Sequence, residues 1–284
     1  LSVRTRTQLE NALAKSPNDW RAFGIDLSPD VSTQSDQALG DLMMTSPAIR
    51  ALRRRFPMAE IHLLVQTGVA PLARFLPGVD AVESLPCGFL IQGGQRPRRA
   101  LAWLAALPRL RRRRYDLVVD FSGRFPSSAA AWAAGAPLRL GPCRRLPLGF
   151  FSTEGFGHFY THEFVGDEAA HYADRMNRLA SAAGAEPDPG GWKIHLTEDQ
   201  REAAARLLAE NGIGGGDGPL VVVCPGGKWP PKRWGERRFA EAVDLLQRRG
   251  WRAALAAGPG EKDMLDALRG ACAAPPAAIW PPPP

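Results

Sequence analysis

Residues 40–65, GDLMMTSPAIRALRRRFPMAEIHLLV, decide the fold of this chain. Residues 42–55 repeat apolar side chains at the spacing of an amphipathic helix, and residues 61–65 form a short continuous apolar run. Such a run is typical of a strand that is covered on both faces, as in a parallel sheet. A helix followed by a buried strand therefore predicts an α/β protein built from βα units.

The same alternation extends outward from this stretch in both directions. The predicted strands are residues 23–28, 79–84 and 115–121, and the predicted helices are residues 69–75, 98–113 and 167–183. We interpret residues 1–185 as one Rossmann-like domain, of which residues 1–37 do not follow the normal pattern.

A second βα series follows the Pro- and Gly-rich segment 186–191, which we interpret as an interdomain connection. Thr197 and Gln200 form a capping pattern that opens a helix extending to about residue 211. Strands at 220–224 and 251–257 and helices at 234–249 and 261–270 come next. Four prolines close the chain, so we expect residues 186–284 to be a Rossmann-like domain that is incomplete.

The charge of the chain predicts an anionic partner. Lys and Arg number 36 against 29 Asp and Glu, a formal net charge of +7, and arginines cluster at 53–55, 96–99 and 111–114. Solvated helix faces explain any single cluster equally well. Because no nucleic-acid-binding motif accompanies the arginines, we expect a phosphorylated lipid or a nucleotide-sugar and no nucleic acid.

The cysteines and the hydropathy predict the cellular setting. Four widely spaced cysteines favour a reducing environment. No apolar run reaches the roughly 18 to 20 residues that cross a bilayer, and residues 1–20 lack the apolar core of a signal peptide. We expect a cytoplasmic protein that is soluble or peripheral on the inner membrane.

The predicted helix 98–113 is basic and amphipathic, and its leucines have two interpretations. They can dip into the headgroups of an anionic membrane while the arginines contact phosphates. They can equally pack on the sheet. The sequence leaves both alternatives open.

Gly40 and Asp41 stand at the entrance of the predicted helix 42–55. Glycine permits a tight turn with positive φ. An aspartate here is either a helix cap and dipole partner or a general base that takes a proton from an acceptor hydroxyl. Both interpretations remain open at this point.

Two loops at strand ends carry the remaining candidate site residues. Residues 224–235, CPGGKWPPKRWG, place Gly226 and Gly227 between a strand and a helix, with lysines nearby, which suits a diphosphate. The loop is neither a Walker A motif nor a dinucleotide fingerprint. Glu261 follows the next strand, where it either caps a helix or accepts hydrogen bonds from ribose hydroxyls.

These segments, taken in order, resemble the heptosyltransferase family of lipopolysaccharide core assembly, glycosyltransferase family 9. The resemblance covers residues 38–270 and is carried by GDL and PAIRAL near residues 40–52, by YDLVVD at 115–120 and RLG at 139–141, and above all by PGG at 225–227 with KRW at 232–234. It implies a two-domain fold of the GT-B type and inverting transfer of a heptose, or a related sugar, from an ADP-sugar.

The resemblance also assigns roles to residues. It implies that Asp41 is the catalytic base, that Lys232 contacts the donor phosphates beside Gly226 and Gly227, and that Glu261 lies near the adenosine ribose. It implies no metal and no cofactor, and a lipopolysaccharide precursor as acceptor. His158 and His162 have a metal-compatible spacing, but no third ligand is evident and glycines interrupt the segment.

Two departures from the family pattern shape the expectations. The polar residues 29–37 separate the first predicted strand from Gly40, and the family's C-terminal Asp-x-Gly-Pro-x-His segment has no counterpart before the final prolines. We therefore also consider a truncated, non-catalytic remnant that binds anionic lipid or nucleotide. A family member that transfers another sugar is the second alternative.

Overall fold

We describe the protein from a computed structural model, which covers residues 21–26, 38–86, 96–142, 159–164, 170–213, 218–227, 233–258 and 260–279. For residues 21–26, 38, 96–99 and 277–279 only the backbone is described. The chain divides into two compact units, Leu1–His195 and Leu196–Pro284. Each unit is a layered α/β structure of its own.

The first unit contains a parallel sheet flanked by helices. In chain order its elements are β1 (Arg21–Asp26), α1 (Ala38–Arg55), β2 (Glu60–Gln66), a 3-10 turn (Thr67–Val69), α2 (Ala70–Ala73), β3 (Ala81–Leu85), α3 (Arg96–Arg112), β4 (Leu117–Asp120), α4 (Phe125–Ala134), β5 (Leu138–Pro142), β6 (His162–Phe164) and α5 (Tyr172–Ala182). The strand order among the described residues is β3-β2-β1-β4-β5-β6. This is the order of a doubly wound dinucleotide-binding fold.

Strand β4 shows why the central strands are mostly apolar. Leu117 and Val119 pack in the core that α1 and α5 cover, whereas Val118 packs on the opposite face with Trp103 of α3 and Ala130 of α4. Side chains of a strand alternate between its two faces, so a strand covered on both sides is apolar at most positions, and its buried polar side chains, such as His62 of β2 and Asp120 of β4, need hydrogen-bond partners. The predicted α/β class and the buried strands 61–65 and 115–121 follow from this rule.

The start of α1 differs from the prediction. The helix begins at Ala38, so Gly40 and Asp41 already lie in helical backbone and Gly40 has no positive φ. The predicted start of the helix at Leu42 was therefore wrong, and Gly40 does not use the positive φ that glycine permits. Glycine is compatible with left-handed backbone but does not require it.

The second unit has a smaller parallel sheet. Its elements are α6 (Glu198–Glu210), β7 (Leu220–Val223), α7 (Glu236–Arg248), β8 (Arg252–Ala256), α8 (Lys262–Ala271) and β9 (Ala277–Ile279). Thr197 and Gln200 cap α6 reciprocally, as predicted. The strand order in the described residues is β7-β8-β9, which matches one half of a doubly wound sheet.

The second unit has a core of its own. Ala253 and Leu255 of β8 pack with Val243 of α7 and with Leu265 and Leu268 of α8. Val222 of β7, in contrast, is exposed. Apolar burial in this unit is therefore concentrated around β8.

The predicted connection packs on the first unit. The Asp188 carboxylate accepts hydrogen bonds from Arg50 Nε at 2.7 Å, from Arg54 Nη1 at 3.1 Å and from the Gly190 amide at 2.8 Å. Burial alone would raise the pKa of Asp188, but these hydrogen bonds outweigh it and lower that pKa from 3.8 to about 2. We call this arrangement the Asp188 clasp.

Two further contacts extend the attachment of the connection. Ser46 Oγ on α1 donates to the Lys193 carbonyl at 3.1 Å, and the His195 amide donates to the Phe75 carbonyl at 2.7 Å. Residues 186–195 thus belong to the first compact unit, and the division falls at 195/196 instead of at the predicted 185/186. Composition marks a Pro- and Gly-rich segment but not the surface on which it packs.

A second polar feature is buried at the end of β4. Asp120 is 0% exposed. One carboxylate oxygen accepts from the amides of Ser122 at 2.9 Å and Gly123 at 3.1 Å, and the other accepts from the Tyr160 hydroxyl at 2.7 Å. Ser128 Oγ lies 2.7 Å from the same hydroxyl. Burial raises the pKa of Asp120 to about 6, although the hydrogen bonds act in the opposite direction.

We predict that Asp188→Ala lowers the free energy of unfolding by about 1 to 3 kcal/mol at pH 7, because Arg50 loses its buried partner. The folded-state pKa of Asp188 is depressed, so its contribution is present above about pH 4 and disappears as the pH falls towards 2. Urea unfolding at pH 7 and pH 3 measures both effects. Glu163→Ala, which removes an exposed acid in the same unit, is the control. Equal unfolding midpoints for the two variants would show that the Asp188 clasp does not stabilise the fold.

We predict that Asp120→Asn removes a pH-dependent loss of stability. The folded-state pKa is raised, so the folded protein binds more protons than the unfolded chain between about pH 4 and pH 6, and stability falls as the pH rises through that window. Asparagine keeps the acceptor for both amides and donates to Tyr160 instead. Parent and variant unfolding free energies should therefore diverge by roughly 2 to 3 kcal/mol across the window, and parallel pH profiles would contradict this.

Candidate functional site

The carboxyl ends of β1 and β4 form the switch point of the first sheet. The sheet order reverses between these two strands, and Ile25 of β1 lies in register with Asp120 of β4. Doubly wound folds bind ligands outside the carboxyl ends of their strands at such a point. The Asp120 side chain is buried and fixes the loop that follows β4 by accepting hydrogen bonds from the Ser122 and Gly123 amides.

Asp41 lies in the first turn of α1 and is partly exposed. A helix of a βαβ unit runs antiparallel to its strands, which puts the first turn of α1 on the carboxyl side of the sheet. The backbone amides of a first helical turn favour a carboxylate, and the Asp41 carbonyl accepts from Thr45 Oγ1 at 2.9 Å. This position suits both the dipole partner and the base, and the catalytic role of Asp41 stays a prediction.

Gly141 allows the Tyr160 ring to reach Asp120. A Cβ atom at Gly141 would lie 2.2 Å from Tyr160 Cζ, inside the ring. The RLG segment at 139–141 therefore has a structural reason in this chain. The Asp120–Tyr160 pair has no local signal in the sequence, because 39 residues separate the two and no motif links them.

In the second unit, Glu261 joins two loops at the carboxyl ends of β7 and β8. Its Oε1 accepts from the Gly227 amide at 3.2 Å, and its Oε2 accepts from the Gly258 amide at 2.9 Å. The structure thus brings together Gly226, Gly227 and Glu261, three of the predicted site residues. We call this group the Glu261 bridge.

Gly226 makes the bridge possible by lacking a side chain. A Cβ atom built there would lie 2.2 Å from one Glu261 carboxylate oxygen and 2.5 Å from the other. Both oxygens are already engaged by backbone amides, so the carboxylate could move only by giving up these hydrogen bonds. A glycine at position 226 is therefore required by close approach.

Arg233 adds a cation that was not among the predicted site residues. Its Nε donates to the Gly227 carbonyl at 2.7 Å, and its Nη2 lies 3.9 Å from Glu261 Oε1. The side chain is exposed enough to contact a ligand. The pair Lys232 and Arg233 was the available signal, of which only Lys232 was selected. Lys232 lies outside the described residues.

The second-unit site combines donors for anions with an acceptor for hydroxyls. Backbone amides and an arginine beside a Gly-rich loop suit a phosphate. Each oxygen of the Glu261 carboxylate accepts one hydrogen bond from a backbone amide and has a further lone pair that can accept a hydrogen bond from a hydroxyl. Asp41 belongs to the other compact unit. Within the described residues no group of three His, Cys, Asp or Glu side chains forms a candidate metal site; His158 lies outside them.

Among the helices that the structure describes, none has both the length and the apolar composition to cross a membrane.

The model of the family described as "Glycosyltransferase family 9 (heptosyltransferase)" matches residues 103–282. Lipopolysaccharide heptosyltransferase 3 of Escherichia coli K12 is 23% identical over 228 residues, which is 79% of this chain and 62% of the relative. This chain thus spans less than two thirds of that relative's length.

Solved structures show the same fold. The family 9 glycosyl transferase of Veillonella parvula has a TM-score of 0.71 at 19% identity, covering 93% of this chain and 70% of its own. E. coli heptosyltransferase WaaC with ADP has a TM-score of 0.62 at 19% identity, covering 92% of this chain and 74% of its own. At these identities the similarity shows the fold: this chain has the α/β fold of the GT-B heptosyltransferases.

The family match covers more than half of the chain and includes both loops of the Glu261 bridge. It agrees with the parallel sheets, their strand orders and the Gly-rich loop after β7. This chain belongs to glycosyltransferase family 9, the heptosyltransferase family.

Proposed function

We propose that this chain moves a heptose, or a related sugar, from an ADP-sugar to a hydroxyl of a lipopolysaccharide core precursor with inversion of configuration. The observation that carries the proposal is the Glu261 bridge, an anion and hydroxyl site within the region matched by the family. The related E. coli enzyme WaaC is described with ADP and with ADP-2-deoxy-2-fluoro heptose. The nucleotide and the sugar class are carried over from such relatives.

The donor would bind to the second unit. We assign the diphosphate to the loop at Gly226 and Gly227, where Arg233 and Lys232 supply positive charge and the N-terminal amides of α7 lie close in sequence. We assign the adenosine ribose to Glu261, whose carboxylate accepts hydrogen bonds from hydroxyls. Preorganised cations act most strongly on the negative charge that gathers on the leaving ADP.

The acceptor would be activated by Asp41 of the first unit. Its carboxylate takes the proton of the acceptor hydroxyl while the hydroxyl oxygen attacks the anomeric carbon from the face opposite ADP. A new carbon–oxygen bond forms, the bond from the anomeric carbon to the phosphate oxygen breaks, and ADP leaves with the electron pair. One displacement inverts the configuration, and no metal takes part.

The first experiment is calorimetric titration of the purified chain with ADP and ADP-heptose. Binding of both supports the donor site and justifies transfer assays with a core acceptor. Binding without transfer favours the non-catalytic alternative, and absence of binding contradicts the donor assignment. Replacing ADP-heptose by other ADP-sugars in the same titration tests the alternative that the chain uses another sugar.

We predict that Gly226→Ala and Arg233→Ala each weaken ADP binding by about tenfold or more, a loss equivalent to one charge-assisted hydrogen bond. The first change drives the Glu261 carboxylate off its amides, and the second removes a cation beside the loop. Calorimetric dissociation constants for ADP measure both losses, and Lys232→Ala can be compared in the same series.

Matched controls are available in the same unit. Gly270 on α8 has no atom within 4 Å of a built Cβ, so Gly270→Ala should leave ADP binding unchanged. Arg248 lies at the opposite end of α7 and is exposed, so Arg248→Ala should also be neutral. If the controls weaken ADP binding as much as the site variants do, the effect is not specific to the Glu261 bridge.

We predict that Asp41→Asn lowers kcat for sugar transfer by about 10²- to 10⁴-fold, the range for loss of a general base. The ADP dissociation constant should not change, because Asp41 belongs to the unit that does not contain the loop. The asparagine variant keeps the size and the helical position of the side chain. Undiminished transfer by this variant would remove Asp41 from the mechanism.

A further inference from the structure

Helix α3 has two apolar faces, and only one of them is buried. Trp103 and Leu110 are buried with the alanines of α4, and Leu107 packs against the same cluster. Leu101 and Leu104, in contrast, are 65% and 54% exposed. The two interpretations of the leucines therefore apply to different residues of one helix: some pack in the core, and two do not.

The exposed apolar side chains form a continuous stripe. Leu101, Leu104, Ala105 and Pro108 are all exposed and recur at spacings of three and four residues, which puts them on one side of a helix. One exposed leucine is ordinary in a soluble protein. Two exposed leucines in adjacent turns, together with an alanine and a proline, form an apolar patch of the kind that marks an interaction surface.

Positive charge flanks the C-terminal end of the stripe. Positions 96–114 contain eight arginines and no acidic residue. Arg109 and Arg112, both exposed, flank the C-terminal end of the stripe at helical spacing from Pro108 and Ala105. Arg113 and Arg111 have neighbours instead, since Arg113 pairs with Glu83 at 2.8 Å and the guanidinium of Arg111 lies beside Gly135.

We propose that this face of α3, which we call the α3 stripe (Leu101, Leu104, Ala105, Pro108, Arg109 and Arg112), lies on the surface of an anionic phospholipid bilayer. The leucines enter the boundary between headgroups and acyl chains, and the guanidinium groups contact lipid phosphates. Long arginine side chains reach the phosphates while their stems stay along the apolar stripe. The inference goes beyond sugar transfer, since it needs neither the donor nor the acceptor.

The composition of the stripe selects a bilayer over other occupants. A second copy of the chain would bring two arginine-rich helices together, and the like charges would repel. Nucleic acid would satisfy the arginines but would leave the leucines exposed at the centre of the contact. An anionic bilayer satisfies both, because its phosphates and its acyl chains lie within one side-chain length of each other.

The test is cosedimentation of the full chain with vesicles of phosphatidylcholine alone and of phosphatidylcholine with phosphatidylglycerol. The parent should bind the anionic vesicles, and binding should weaken as salt increases. Leu101→Gln/Leu104→Gln should lower the partition coefficient by about tenfold or more. In the parent both leucines would be buried in the bilayer on binding, and glutamine would lose this apolar burial. Arg109→Gln/Arg112→Gln should abolish the preference for anionic lipid.

Met58→Gln is the matched control. Met58 is 69% exposed in the same unit but lies between α1 and β2, away from α3 in sequence. It should bind vesicles as the parent does. All variants replace exposed side chains, and their far-ultraviolet circular dichroism and ADP affinity should match those of the parent, which separates loss of the lipid surface from failure of the donor site.

Three outcomes would overturn the proposal. The first is that the parent fails to bind anionic vesicles. The second is that the leucine variant binds them as tightly as the parent, which would mean that charge alone explains adsorption. The third is that the leucine variant differs from the parent in oligomeric state in sedimentation equilibrium, which would mean that a second copy covers the stripe. Selective loss of vesicle binding in the leucine variant, with Met58→Gln unchanged, supports it.

Discussion

Burial of a parallel sheet on both faces is the constraint on which the first unit depends. Parallel strands need helical crossovers, and these crossovers cover both faces of the sheet. Each central strand must then be mostly apolar, and the helices that cover it must each present one apolar side. Helices α1 and α5 cover one face and α3 and α4 the other. Polar side chains that are buried in these strands have hydrogen-bond partners, as His62 has in Tyr115 and Asp120 has in Tyr160.

Helix α1 links the packing of the sheet to the candidate chemistry. It carries Asp41 in its first turn, packs its alanines and Leu52 on the sheet, and uses Arg50 and Arg54 to hold the Asp188 clasp. Residues 186–195, which belong to the first unit, are consequently attached to the same helix that positions the proposed base. One helix therefore has three roles, and a substitution that alters one of them can affect the other two.

In the second unit a carboxylate connects the loops that follow β7 and β8. Glycine-rich loops can approach a ligand closely, but their backbone has few constraints of its own. Glu261 supplies the constraint by accepting one amide from each loop. The residue that the family resemblance connects with a ribose thus also organises the loop that we assign to the diphosphate. Both tasks are compatible, because a carboxylate oxygen accepts more than one hydrogen bond.

Local pattern determined the class of this protein and its sites in outline. Apolar runs predicted the strands, helical spacing predicted α1 and α3, Thr197 and Gln200 predicted the start of α6, and the glycines at 226 and 227 indicated the loop. Each of these signals arises from residues that are close in the chain. For the same reason the family resemblance could be stated from short segments.

Tertiary structure decided everything that depends on residues distant in sequence. It joined Asp188 to α1, Tyr160 to Asp120 and Glu261 to Gly227, and it separated the buried leucines of α3 from the exposed ones. Helical spacing alone shows two apolar sides of α3 but not which one meets the core. That choice depends on packing against both the sheet and α4, because burial is a property of the packed chain and not of a segment.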